Sequence, residues 1–205
     1  MQNTNKSHWE TVYKNKTPDD VSWTQDTPQT SLDFINSFGL NKSAKIIDIG
    51  GGDSKLVDCL LNLGYENITV LDISARALDK AKIRLGAQAK KVNWVVSDIT
   101  AFKPETTFDV WHDRATFHFL TSPDQISTYM DIARKAVKGY LSIGTFSENG
   151  PEKCSGLDIK QYNENSISAT FKNGFNKIRC ITKNHTTPFN TVQNFVFCSF
   201  KRQEN

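Results

Sequence analysis

Two histidines, a carboxylate and a guanidinium fall within seven residues, His112-Asp113-Arg114-Ala115-Thr116-Phe117-His118. Either histidine can act as a general base, because imidazole titrates near neutrality. Asp113 can orient a histidine or bind a cationic group, and Arg114 can pair with Asp113 or hold an acidic one. A second concentration of chemistry lies upstream in Ala44-Lys45-Ile46-Ile47-Asp48-Ile49-Gly50-Gly51-Gly52-Asp53-Ser54-Lys55-Leu56. There an apolar run ends in an aspartate and three glycines. Such a turn brings a ligand against backbone N–H groups, since a Cβ would block the approach. Asp72 in VLDIS and Asp98 in VVSDIT follow at similar intervals. The first can accept both hydroxyls of a ribose, and the second can accept from an exocyclic amine.

The glycine pattern excludes two common ligand turns. A phosphate-binding loop needs G-x-x-x-x-G-K-[ST], which is absent, and a dinucleotide fingerprint needs a third glycine where Lys55 stands. What remains is a D-x-G-x-G turn closed by Asp48.

Positioning these residues requires a particular order of elements. Strands are expected at Lys45–Ile49, Asn67–Leu71, Lys91–Val96, Phe108–His112 and Tyr140–Phe146. Between them, Leu56, Cys59, Leu60 and Leu63 form a helix face ending at Gly64, Ser74 caps a helix ending at Gly86, and Ser122-Pro123-Asp124-Gln125 opens a third. Strands alternating with helices of this length form β-α-β units and a parallel sheet covered on both faces. Asp48, Asp72 and Asp98 then share the carboxyl edge, where such sheets bind ligands. The His112–His118 segment reads as the loop after the fourth strand, at that same edge.

The two ends depart from the alternation. Ser7-His8-Trp9-Glu10 has the form of a capping box, predicting a helix near residues 8–15, and Thr27 followed by Pro28 predicts a second with Leu32, Ile35 and Phe38 inward. Trp9, Tyr13 and Trp23 are costly to leave exposed and can cover the site. Phe175–Thr182 and Thr191–Phe200 follow one another directly and pair antiparallel. The organisation is one domain, 1–205, with an N-terminal helical cover (1–40), a ligand-binding core (44–146), and an insert with a C-terminal hairpin (147–205).

IIDIGGGDSKL, VLDIS, VVSDIT and FDVWHDRATFHFL resemble the successive motifs of class I S-adenosylmethionine-dependent methyltransferases. The resemblance implies a Rossmann-like α/β fold: a mostly parallel seven-stranded sheet in the order 3-2-1-4-5-7-6, the last strand antiparallel, helices on both faces. It also implies S-adenosyl-L-methionine as cofactor and S-adenosyl-L-homocysteine as product. Asp48, Gly50 and Gly52 would flank the methionine part and Asp72 the ribose. Ile73 would pack on the adenine, Asp98 would hold its amine, and Ile99 belongs with them. Asp113, His118, His112 and Arg114 are the catalytic candidates, Asp113 and His118 foremost.

HWETVYKNKTPDDVSW, HDRATFHFL and TFSENGPEKCSGL are similar to a bacterial group of small class I methyltransferases. A small-molecule acceptor is favoured. Protein lysine is the alternative, because Asp113-Arg114-Ala115-Thr116-Phe117 is similar to a D-K-G-T-[FW] segment, departing at Arg114 and Ala115. A non-catalytic cofactor-binding protein is a remote third reading. The [DN]-P-P-[YF] segment of nucleic-acid amine methyltransferases is absent.

Composition narrows the partners. The net charge of +3 is spread thinly, without the basic stripe a nucleic-acid partner needs, and no apolar run suggests a membrane span. The N-terminus lacks a signal-peptide pattern, so a cytoplasmic location is expected. Cys59, Cys154, Cys180 and Cys198 show no C-x-x-C; neither a zinc site nor a disulfide scaffold is indicated, and all but Cys154 are expected in the core. Oligomeric state is not legible.

Overall fold

Seven strands make one sheet: β1 (Lys45–Ile49), β2 (Asn67–Asp72), β3 (Val92–Val96), β4 (Phe108–Arg114), β5 (Val137–Phe146), β6 (Phe175–Thr186) and β7 (Val192–Arg202). The computed structural model describes residues 2–204, with side chains from residue 5 on. The spatial order is 3-2-1-4-5-7-6, as the family resemblance implies. β1 to β5 run parallel, and β7 is antiparallel to both β5 and β6. β1 is buried at every position but its first, as expected of a parallel strand with helices over both faces.

The helices are α1 (Gln2–Asn15), α2 (Gln29–Ser37), α3 (Leu56–Asn62), α4 (Ala75–Leu85), α5 (Pro123–Ala136) and α6 (Glu164–Phe171). On one face Ile46, Val70 and Val110 pack against Leu32 and Ile35 of α2, Leu60 of α3 and Leu78 of α4. On the other, Ile47, Ile49 and Trp111 pack against Tyr129 and Ala133 of α5 and Phe171 of α6. Two caps fix helices beside the functional edge. Ser74 Oγ accepts from the Ala77 N–H, and Ser122 with Gln125 forms a reciprocal capping box at the start of α5.

Several sequence expectations are corrected. α1 begins at Gln2, so Ser7 lies inside it, and Glu10 is no capping residue. Glu10 instead accepts from the Ala75 N–H at 2.7 Å and pairs with Arg76 at 3.2 Å, tying α1 to the start of α4. α2 starts at Gln29, with Pro28 outside it and no cap bond from a side chain. Leu63 is 40% exposed because α3 ends at Asn62. β4 runs on through Arg114, which puts His112, Asp113 and Arg114 on a strand rather than in a loop. α6 was not expected; Asn163 and Ser166 cap it reciprocally, and Ile167 and Phe171 bury its inner face. Cys180 and Cys198 are register partners across β6 and β7 and are joined as a disulfide, where separate core thiols were expected. Cys59 is only half-buried.

Candidate active site

The carboxyl ends of β1 to β4 open into a cleft containing about 1470 Å³ of space outside protein atoms, part of it continuous with solvent. Its floor is the turn after β1. The Gly51 N–H donates to the Leu71 carbonyl at 3.1 Å, and the Ser54 N–H donates back to the Gly51 carbonyl at 2.8 Å, so the turn is fastened to β2 and closed on itself. A Cβ at Gly51 would lie 2.6 Å from Asp48 Oδ2, and one at Gly52 would lie 2.7 Å from the Tyr13 hydroxyl. Only glycine fits at these positions without displacing those side chains. The turn therefore fits the cofactor that the sequence implies.

Asp72, at the end of β2, is buried and lines the cleft. Its Oδ1 accepts from the Ser74 N–H at 2.8 Å. Burial, with smaller contributions from Asp53 and Asp48, raises its carboxyl to about 7, against the pull of the Ser74 N–H. A desolvated carboxylate in this condition is stabilised by further hydroxyl donors, which a ribose diol supplies. Asp98 Oδ1 accepts from the N–H and the hydroxyl of Thr100, both at 2.8 Å, so this acid also organises its own turn. Ile73, Ser97 and Ile99 line the cleft around it.

The four catalytic candidates separate into two pairs. His112 lines the cleft, and both its ring nitrogens are engaged: Nδ1 with Asp48 Oδ1 at 2.7 Å and Nε2 with Ser31 Oγ at 2.8 Å. The parallel register places Asp48 and His112 side by side, and α2 delivers the buried Ser31 from above. Arg114 also lines the cleft. Its Nη1 donates to the Trp23 carbonyl at 2.9 Å, and its guanidinium carbon lies 5.1 Å from the centre of the Phe195 ring. Burial pulls its pKa down to about 10, which leaves it cationic at neutral pH.

Asp113 and His118 lie behind this wall. Asp113 is fully buried and points away from the cleft. Its Oδ1 accepts from the Thr116 and Phe117 N–H groups at 3.1 and 3.0 Å, and its Oδ2 from the Tyr129 hydroxyl at 2.9 Å. Burial raises its carboxyl to about 6, against these donors. His118 is sealed against Phe146, ring centroids 4.6 Å apart. Burial, then the neighbouring Arg114, pushes its pKa down to about 3, so it is neutral. The strand extension explains the split: side chains alternate along β4, so 112 and 114 face one way and 113 the other.

Trp9, Tyr13 and Trp23 form one wall of the cleft, with Trp9 set edge-on to Trp23 and to Phe119, centroids 5.8 and 5.2 Å apart. His185 is not part of the lining; its Nε2 meets the Ser22 carbonyl at 2.7 Å and pins the N-terminal segment to the C-terminal hairpin. Cys154 reaches the cleft from the insert, with its thiol pushed up to about 12 by burial, far from the thiolate a nucleophile needs. Ser31 and Phe119 carried no sequence signal as site residues. Among the described residues no group of three or more His, Cys, Asp and Glu side chains is placed to hold a metal ion, and no helix is long and apolar enough to cross a membrane.

Residues 46–139 match a family model described as a methyltransferase domain. This stretch of the chain carries a methyltransferase domain. Two curated relatives span different chemistries. One is an eEF1A lysine and N-terminal methyltransferase of Mus musculus, 29% identical over 91 residues, covering 44% of this chain and 13% of that protein. The other is malonyl-[acyl-carrier protein] O-methyltransferase 2 of Ilyobacter polytropus, 26% identical over 129 residues, covering 60% of this chain and 49% of that one. The chain thus spans half or less of the length of either. The N-methyltransferase NodS of Bradyrhizobium japonicum, solved with S-adenosyl-L-homocysteine, has the same fold at a TM-score of 0.74 and 17% identity, covering 95% of this chain and 98% of that one.

Proposed function

We propose that the protein transfers a methyl group from S-adenosylmethionine to a small-molecule acceptor. One observation carries the reading: the glycine floor and Asp72 share a single cleft with His112 and Arg114, so cofactor and acceptor chemistry meet at one sheet edge. S-adenosylmethionine, when bound, supplies a methyl group activated by a sulfonium. The chain supplies position and dryness, the main requirements of an in-line displacement. Asp72 receives the ribose, Ile73 and Ile99 flank the adenine with Asp98 at its amine, and the Asp48–Gly52 turn holds the amino-acid end. Trp9, Tyr13 and Trp23 keep water out.

His112 is the proposed base. Asp48 accepts from Nδ1–H, which leaves Nε2 to take the proton of Ser31, while the Ser31 oxygen takes one from the acceptor. Asp113 and His118 take supporting roles, the first tying the turn at 116–117 to α5. A cytoplasmic setting completes the proposal: its reducing conditions keep Cys59 and Cys154 as thiols and place the Cys180–Cys198 pair in exchange with the thiol pool.

The test is incubation with methyl-labelled S-adenosylmethionine and a cell lysate. Label in the extractable small-molecule fraction is expected. Label fixed to protein would replace the small-molecule reading with methylation of a protein side chain.

A further inference from the structure

We infer that the acceptor carries a carboxylate, and that the free edge of the Arg114 guanidinium is its docking point. The inference rests on the methyltransferase reading and names the class of substrate for the same cleft. Arg114 Nε and Nη2 are both shut off from solvent and have no protein partner, while Nη1 is occupied by the Trp23 carbonyl. Nε–H and the adjacent Nη2–H form the two-pronged side of a guanidinium, the edge that matches the two oxygens of a carboxylate. The protein has filled the other side and left this fork empty.

No side chain of the protein pairs with it, and the nearby Asp48 charge offsets its burial only in part. None of the ion pairs among the described residues includes Arg114. Asp48 is held by His112, and Asp113 on the same strand is turned toward Tyr129. Cys154 remains a thiol, His118 is neutral, and the pKa of His185 is lowered by burial. A buried cation without a directly paired counter-ion is costly to maintain, and an incoming anion lowers that cost.

Location assigns the anion to the acceptor rather than to the cofactor. The acids at the ends of β1 to β3 mark the cofactor end. The Arg114 guanidinium lies beyond them, over Phe195 of β7 and against the Trp23 carbonyl, with Cys154 of the insert in the same wall. The same cation opposes a lysine ammonium at this point, which separates the acceptor class from the protein alternative.

The experiment measures binding to the full chain by calorimetry. The probes are malonate, succinate and benzoate, each against its neutral amide, with and without saturating S-adenosylhomocysteine. At least one carboxylate is expected to bind tenfold or more tightly than its amide. Arg114→Met should remove that preference, and Arg114→Lys, which keeps the charge but not the fork, should weaken carboxylate binding several-fold; the lysine variant decides the matter if the methionine variant does not fold. S-adenosylhomocysteine affinity should stay within twofold in both. Equal binding of carboxylates and amides overturns the inference. So does a tenfold loss of S-adenosylhomocysteine affinity in Arg114→Met with 5′-methylthioadenosine affinity intact, which would assign the fork to the cofactor's own carboxylate. Wild-type chain that binds a carboxylate through Arg114 but not S-adenosylhomocysteine would sink the methyltransferase reading and leave the arginine site standing.

Discussion

The two halves of the cleft hold opposite charges and use them in opposite ways. On the β1–β3 side the three strand-end acids each spend part of their hydrogen-bonding capacity on the protein: Asp48 on His112, Asp72 on the Ser74 N–H, Asp98 on Thr100. These bonds fix where each carboxylate points before any ligand arrives. On the β4–β7 side Arg114 makes one bond to a carbonyl and leaves two donors unspent. Under the proposed function, the contrast teaches that a side meant for one invariant ligand can be built rigid. The side proposed to pick out an acceptor keeps an unsatisfied group, because rejection of wrong molecules comes from leaving that group unpaired.

The comparison can be broken most strongly at Asp113, which is assigned to neither half. Asp113→Ala leaves three donors without an acceptor, the Phe117 N–H and Tyr129 hydroxyl buried and the Thr116 N–H partly so, an expected loss of about 3 kcal/mol or more. Thermal unfolding should fall by very roughly 6–12 °C for a chain of this size. The additional shift produced by S-adenosylhomocysteine should persist; its disappearance would move Asp113 into the site.

Asp72→Ala addresses the cofactor half directly. S-adenosylhomocysteine at about 100 times its dissociation constant should stabilise the native chain by roughly 2.7 kcal/mol, a rise of very roughly 5–10 °C. NAD should give none. The variant should lose that rise, and a variant that keeps it would show that the glycine turn holds some other ligand.

Protonation sharpens the same half. Burial raises the Asp72 carboxyl to about 7 and the Asp113 carboxyl to about 6, against roughly 4 in the unfolded chain. Both groups bind more protons folded than unfolded across that interval. Their favourable contribution is fully present below about pH 4 and is lost as pH rises to about 7. Ligand binding runs the other way, because the two ribose hydroxyls need an ionised Asp72. S-adenosylhomocysteine should bind roughly tenfold more weakly at pH 6 than at pH 8, and Asp72→Asn should flatten the profile. A flat wild-type profile would mean that Asp72 does not titrate with the ligand.

The smallest effect is expected between the halves. Ala115 holds φ at 65°, a left-handed conformation that costs an L-residue about 1–2 kcal/mol. Ala115→Gly, which also restores the D-K-G-T pattern at that position, should stabilise by roughly 0.5–1 kcal/mol after the added flexibility of the unfolded chain is counted. Denaturant unfolding would measure it, and a destabilised variant would show that the alanine methyl packs better than its backbone is strained.

The residues proposed to hold the cofactor stand out in the sequence because their signals are local. Asp48, Asp72 and Asp98 each end an apolar run beside a turn, and the β-α-β alternation alone brings such ends to one edge. The residues on the side proposed for the acceptor stand out only in composition. His-Asp-Arg looks like loop chemistry, and nothing local says that β4 continues through it and turns alternate side chains to opposite faces. That is why Asp113, a leading candidate on residue type, points into the core while His112 and Arg114 face the cleft; His118 lies past the end of β4, in the turn at 117–119, and is buried against Phe146. Ser31 reaches His112 across 81 positions, and the Cys180–Cys198 pairing depends on a hairpin register that composition does not encode.

The order 3-2-1-4 also acts as a ruler. Neighbouring strands stand about 4.8 Å apart, so from Asp98 just past β3 through Asp72 and Asp48 to Arg114 on β4 the sheet steps three times, roughly 14 Å. Ligand length is thereby counted in strands. A change at the β4 end resets what stands at the last mark while the first three stay where the backbone ladder holds them, so new acceptors can be gauged without recalibrating the cofactor.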